Sequence, residues 1–195
     1  MKQLRAIVIF LLISLPMATQ AAWQLDNDAS SVSFNSIKNG QVVESHYFKS
    51  ISGSIEANQA SVSIDLSSVE TAIGIRNERM QAMLFETGTY PVATITAILD
   101  REDVAALQSK ATSTLQLPIT IELHGQQANA TVPVLVTRSA DRITVSSQRP
   151  VIIQASTFKL AAGIEALRKI AGLQSITLSV PVSFSLNFEA LQLED

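Results

Sequence analysis

Ile176-Thr-Leu-Ser-Val180-Pro-Val-Ser-Phe184-Ser-Leu-Asn-Phe188 is the stretch that decides how the rest of the chain reads. Large apolar residues hold every even position, and Thr, Ser, Pro and Asn hold the odd ones. Only a strand with one apolar face has that period of two. At roughly 3.3 Å per residue such a strand of about 13 residues is about 43 Å long, far beyond the usual five or six residues. Leu115, Leu117, Ile119, Ile121 and Leu123 repeat the pattern, and Val132, Val134 and Val136 resume it after Gly125. These two runs therefore read as adjacent antiparallel strands joined by a short turn. Shorter alternations at Val32 and Phe34, at Ile51, Gly53 and Ile55, at Val62, Ile64 and Leu66, at Ile143 and Val145, and around Ile95 bring the count to about eight strands. Pro118 and Pro181 lack an N–H, so each is expected at a bulge, a strand end or an unpaired edge.

Two segments break the alternation and read as short helices. Asp100 to Lys110 opens with acidic residues, which suit a helix N-terminus. Ala161 to Ala171 spaces Ile164, Leu167 and Ile170 three apart, carries Arg168 and Lys169 in its last turn, and meets Gly172 just beyond. Arg76 to Phe85 is a third candidate, with Met80, Met83 and Leu84 on one side. Many even alternations with few helices mean a closed antiparallel barrel or a sandwich. A closed sheet of eight long strands would stand on the order of 30 Å tall, wide enough either to fill with side chains or to hold a slender ligand. Both readings stay open at this point.

Composition narrows the function. With 14 basic against 17 acidic side chains and a pI near 5.4, a large basic surface for nucleic acid is excluded. The absence of cysteine removes thiol catalysis and thiolate metal sites. His46 and His124 are the only histidines, and no spacing joins them to carboxylates as metal ligands, so no metal site is expected; His124 reads as a turn cap. No G-x-S-x-G elbow occurs, and the chain is not expected to be an enzyme, so no catalytic residue or cofactor is assigned. Lys2 and Arg5 precede an apolar run from Ala6 to Leu15, followed by Pro16 and the small-residue tail ending at Ala21-Ala22. This is the pattern of a signal peptide over residues 1–21, too short to span a bilayer. Its removal takes away two cations and no acid, shifting the net charge from −3 to −5. Residues 22–195, with no linker or shift in composition, then read as one exported domain located in the periplasm. An outer-membrane barrel, with its apolar face outward, is disfavoured by the 5% aromatic content and the terminal Glu194-Asp195.

Trp23-Gln-Leu-Asp26 followed by Ser31-Val-Ser-Phe34, Phe48 and Gly53 in the next hairpin, Arg76-Asn77 with Leu84-Phe85 and Tyr90-Pro91, Leu123-His124-Gly125, and the closing alternating strand together resemble the YceI-like family of bacterial exported proteins. The likeness runs over essentially the whole chain after the leader. It implies a mainly β fold, an extended lipocalin-like antiparallel β-barrel of about eight strands with two or three short helices. It also implies a lipid-binding function, with a long-chain isoprenoid or similar amphiphile of polyprenyl, quinone or fatty-acyl type held in an apolar cavity for carriage or storage. The competing reading is a filled-core barrel or sandwich serving as a structural or protein-interaction module.

On the lipid reading, the cavity is expected to be lined by Phe34, Phe48, Ile95, Leu117, Ile119, Ile121, Val180, Val182 and Phe184. Its entrance falls at the helices, because hydrogen-bonded strands open at greater cost than a helix held by a few apolar contacts. Met80, Met83, Leu84, Phe85, Ile164 and Leu167 would form the lip, with Gly74 and Gly163 as hinges. Arg76 and Arg79 are the candidates to meet a polar or phosphorylated head group. The partners expected are the amphiphile itself and a transient membrane contact, and the sequence is compatible with a homodimer.

Overall fold

The computed structural model describes residues 23–109 and 111–191. The leader expected over residues 1–21, Lys110 and the acidic Glu194-Asp195 lie outside the described residues. The described residues form twelve strands: β1 (Trp23–Leu25), β2 (Ser31–Lys38), β3 (Val42–Phe48), β4 (Ile51–Glu56), β5 (Gln59–Asp65), β6 (Val69–Glu70), β7 (Val92–Ile98), β8 (Thr112–Leu123), β9 (Gln126–Arg138), β10 (Arg142–Ser147), β11 (Val151–Gln154) and β12 (Ser179–Ala190). Among these residues there are also three α-helices, α1 (Gly74–Arg79), α2 (Arg101–Ser109) and α3 (Ala161–Ile170), a 3-10 turn over Leu66–Ser68, and a π-helical turn over Met80–Phe85 continuing from α1.

Twelve strands make only eight staves, because four staves are each built from two strands end to end. β1 and β2 run along one edge of β12, β10 and β11 along the other, while β4 and β3 pair with β1 and β2, and β5 and β6 pair with β4 and β3. Pairing of β12 with β1 closes the ring, so the mainly β barrel of about eight strands, expected with two or three short helices, is observed with three. Side chains supply hydrogen bonds where the backbone leaves the ladder. At Asp26–Ser30, Asp26 Oδ1 accepts the amides of Asp28 and Ala29, and Asn27 Oδ1 accepts Ile51 N at 2.8 Å across the matching break between β3 and β4. At the break between β10 and β11, Pro150 has no amide to donate, and the Ser147 hydroxyl bonds the facing backbone, donating to Phe184 O and accepting from Phe184 N.

The long closing strand begins three residues later than its alternation suggested. Ile176 makes only an isolated bridge to Lys38, and Leu178 is exposed; regular pairing starts at Ser179. Each proline stands where a ladder runs out: pairing of β7 with β8 stops at Ala97↔Ile119, next to Pro118, and pairing of β12 with β2 stops at Val182↔Phe34, next to Pro181. β8 and β9 do form the expected hairpin, turning at His124 and Gly125. Helix α2 is opened by a reciprocal pair in which Asp103 N donates to Asp100 Oδ1 and Asp100 N to Asp103 Oδ2. Helix α3 stops at Gly172 (φ +64), with Leu173 N donating to Arg168 O and Gly172 N to Lys169 O. This pair of hydrogen bonds over a left-handed residue is the termination anticipated there.

The apolar faces point inward along every long stave, while β8 turns Thr112, Thr114, Gln116 and Glu122 to the outside. That outer face lacks the apolar band a lipid-facing barrel requires. No helix among the described residues is long and apolar enough to cross a membrane. At one end the sheet is incomplete, because β6 and β11 each have a strand partner on one edge only. Helix α1, the π-turn and α3 lie at this end. α2 links β7 to β8 at the other end, beside the β4–β5 turn, where Leu99 N bonds Asn58 O.

Candidate functional site

Inward-facing side chains do not meet at the barrel axis. They leave a cavity of about 430 Å³, within the range of small-molecule sites. The filled-core reading is therefore corrected by the open interior. The strand residues singled out from the alternation all line it: Phe34, Phe48, Ile95, Leu117, Ile119, Ile121, Val180, Val182 and Phe184. So do Met80, Leu84 and Phe85 from the π-turn and Ile164 and Leu167 from α3. Alternation also carried Val132, Val134, Val136, Ile143 and Val145 to the same wall, although they had not been assigned to a site. Phe34, Phe48 and Phe85 stack in sequence, with ring centroids 5.4 and 5.8 Å apart.

Met83 is the exception. The i→i+5 winding of the π-turn gathers Met80, Leu84 and Phe85 on one side and turns Met83 away from the cavity, whereas an α-helical spacing would have kept it there. Its carbonyl instead abuts α3 at Gly163, where an added Cβ would lie 2.4 Å from Met83 O and 2.8 Å from Leu84 Cα. Gly163 is thus a point of close backbone contact, and its expected role as a hinge is corrected. The π-turn ends at Glu86, which takes a left-handed conformation (φ 49) and donates its amide to Gln81 O.

Polar lining is confined to the incomplete end, where Asn35, Ser36, Lys38, His46, Arg76, Arg79 and Thr177 border the cavity. The β2–β3 register places Ser36 opposite Glu44 and Phe34 opposite His46. Glu44 then collects two cations: Lys38 from the same hairpin and Arg76 from α1, the latter at 2.6 Å. Arg76 also donates to the carbonyl of Thr71. The hydrogen bond from Lys38, with Arg76 adding to it, holds the Glu44 carboxyl below the usual range. Thr71 is pinned in turn, its amide donating to Asn77 Oδ1 at 2.9 Å. Asn77 donates to Glu70, which also accepts from Lys49 and the amide of Ala72; these bonds lower Glu70 to about 2.

Arg76, expected at a head group, is therefore already committed to Glu44 and Thr71. Arg79 borders the cavity, is exposed, and has no ion-pair partner among the described residues. His46 is a site residue that the sequence reading weighed only as a metal ligand. It is 2% exposed, stands edge-on to Phe34 at 5.2 Å, and shares a 3.0 Å hydrogen bond between Nε2 and Ser36 Oγ. Burial, with the nearby Arg76 charge, pushes its pKa down to about 4, so the ring is neutral at neutral pH. Its Nδ1 has no hydrogen-bond partner among the described residues. His124 sits in the β8–β9 turn itself (φ 51), stacked on Tyr90 at 4.4 Å. The turn-cap expectation is corrected to ring packing, since neither ring nitrogen makes a hydrogen bond among the described residues.

The arrangement is a long apolar trough with one charged, hydrogen-bonding end, which suits an amphiphile. Residues 23–188 match the model of the YceI-like domain. A polyisoprenoid binding domain from Saccharophagus degradans, implicated in plant cell wall breakdown, is 42% identical, with a TM-score of 0.83 over 89% of this chain and 100% of that one. BcnA of Burkholderia cenocepacia shares the fold at 21% identity and a TM-score of 0.65, covering 84% of this chain and 98% of its own. A YceI protein from Campylobacter jejuni does so at 18% identity and a TM-score of 0.52, over 76% and 85%. No curated protein matches the chain.

Proposed function

The chain belongs to the YceI-like family, and on that premise we propose that it carries or stores a long-chain amphiphile of isoprenoid type inside the barrel. The observation that carries this reading is the division of the cavity, apolar along its length and polar only at the helix end. Lining on β12 from Val180 to Phe188 covers eight residue steps, about 26 Å along the strand and on the order of 20 Å along the tilted barrel. Each buried methylene contributes about 0.8 kcal/mol, so affinity is set by chain length. The polyisoprenoid-binding relative supports an isoprenoid over other apolar chains.

At the polar end Arg79 is the residue that meets the head group, since Arg76 is held by Glu44 and Thr71. The leader pattern of residues 1–21 supports export, and the protein acts in the periplasm as a binding protein without covalent chemistry. Mass spectrometry of an organic extract of the purified protein tests the reading. A stoichiometric long-chain lipid is the expected result. An extract without lipid, together with binding that does not change along a series of isoprenoid chain lengths, would overturn it.

A further inference from the structure

Four large apolar side chains stand half exposed at the polar end of the cavity: Val42 at 51%, Ile73 at 48%, Ile75 at 52% and Ile170 at 48%. Single exposed apolar residues are ordinary, but a cluster ringed by charge marks a contact surface. These four come from three separate segments that the fold draws together. Lys38 pairs with Val42 across the β2–β3 hairpin and bridges to Ile176, and Asn39 Oδ1 accepts the amide of Gln174. Arg76 ties α1 to the same hairpin through Glu44, and Ile73, Ile75 and Leu173 border the opening. Ile170 closes α3 just before Ala171, another lining residue.

We propose that this rim is a docking face for an anionic bilayer surface, through which the ligand passes between membrane and cavity. The inference rests on the lipid-carrying function proposed above. A chain moved through water would lose about fourfold in its transfer equilibrium for every exposed methylene, so an opening pressed against the bilayer is the physical requirement for exchange. The charge of the rim fits that partner. Lys38 and Arg76 share one acid, Glu44, and Arg168 and Lys169 share another, Glu165. Counting Arg79 against its exposed sequence neighbour Glu78 adds no net charge, so the rim is positive by two charges in a chain whose net charge is −3. Anionic head groups attract such a basic patch, while the four apolar side chains bury into the interface.

Cosedimentation of the full protein with phosphatidylglycerol and with phosphatidylcholine vesicles tests this, alongside lipid extraction from the same preparation. Wild type binds the anionic vesicles. Ile73→Asp combined with Ile75→Asp lowers that binding at least tenfold, and Lys169→Glu lowers it at least fivefold. Ile98→Asp, at an equally exposed position on the far end of β7, leaves it unchanged. Extractable lipid without binding to anionic vesicles, or equal losses for Ile98→Asp and the rim pair, overturns the docking face and leaves the carrier reading intact. Vesicle binding with the predicted losses, but neither extractable lipid nor binding that changes with isoprenoid chain length, supports the face and overturns the carrier reading. A dimer in sedimentation velocity that the rim pair dissociates, without vesicle binding, assigns the rim to a second copy and overturns the proposal.

Discussion

Replacing Gly163 by alanine sets two effects of opposite sign against each other. Gly163 is the third residue of α3, and within a helix alanine is favoured over glycine by up to about 1 kcal/mol. Against that stands the seat of α3 on the π-turn. The new methyl would lie 2.4 Å from Met83 O and 2.8 Å from Leu84 Cα, where ordinary contacts lie at about 3.5–4.0 Å. Both obstacles are backbone, so no side-chain rotation relieves them, and α3 must shift outward by roughly 1 Å. Overpacking costs about 1–3 kcal/mol, and two backbone contacts place this case near the top of that range. The net result is a loss of about 2 kcal/mol, or a fall in Tm of about 4–8 °C for a domain of this size. Gly74 supplies the control, since a Cβ there meets nothing within 4 Å, and Gly74→Ala should gain up to about 1 kcal/mol. Thermal and guanidinium unfolding of both variants measure the difference. A Gly163→Ala protein as stable as, or more stable than, the wild type would refute the close contact between α3 and the π-turn.

Three further outcomes are expected. His46 is held neutral down to about pH 4, while in the unfolded chain it takes up a proton near pH 6.5. Stability present above pH 6.5 is therefore lost as the pH falls toward 4, by about 3 kcal/mol, and His46→Phe should flatten that part of an unfolding series measured from pH 7.5 to 4. Arg76→Ala removes the bonds from α1 to Glu44 and Thr71 and should cost about 1–2 kcal/mol by guanidinium unfolding; an unchanged midpoint would show that the pair does not hold the opening. Ile119→Trp fills the middle of the trough, so chain-length profiles by mass spectrometry should shift to shorter bound lipids, and an unshifted profile would remove Ile119 from the ligand's path.

The staves of the barrel were legible because period two fixes which side chains share a face without any knowledge of what lies opposite. β8 and β9 show this most clearly, with Leu115 and Val134 paired as their patterns require. The broken staves were not legible. Nothing local marks Asn27 as the residue whose side chain replaces a strand partner for Ile51, twenty-four positions away. The π-turn was not legible for a related reason, since Met80, Met83 and Leu84 satisfy an α-helical spacing and the backbone contact of Met83 with Gly163 lies eighty positions away.

The polar end lies between these two cases. The ion pair of Arg76 with Glu44 spans thirty-two positions and depends on how α1 docks, which no periodicity reports. Its other half was in the alternation all along. Phe34, Ser36 and Lys38 lie opposite His46, Glu44 and Val42 across one hairpin, all on the inward face. Going up that hairpin, the inward positions change from phenylalanine to serine and lysine on β2, and from phenylalanine to histidine and glutamate on β3. A strand pair that only closed a core would keep its inward face apolar to the end, because each buried polar group costs free energy unless it finds a partner. The change from apolar to polar on two adjacent strands at the same height is therefore the trace, within the sequence, of the depth at which the cavity stops holding a chain and begins to meet water or a head group.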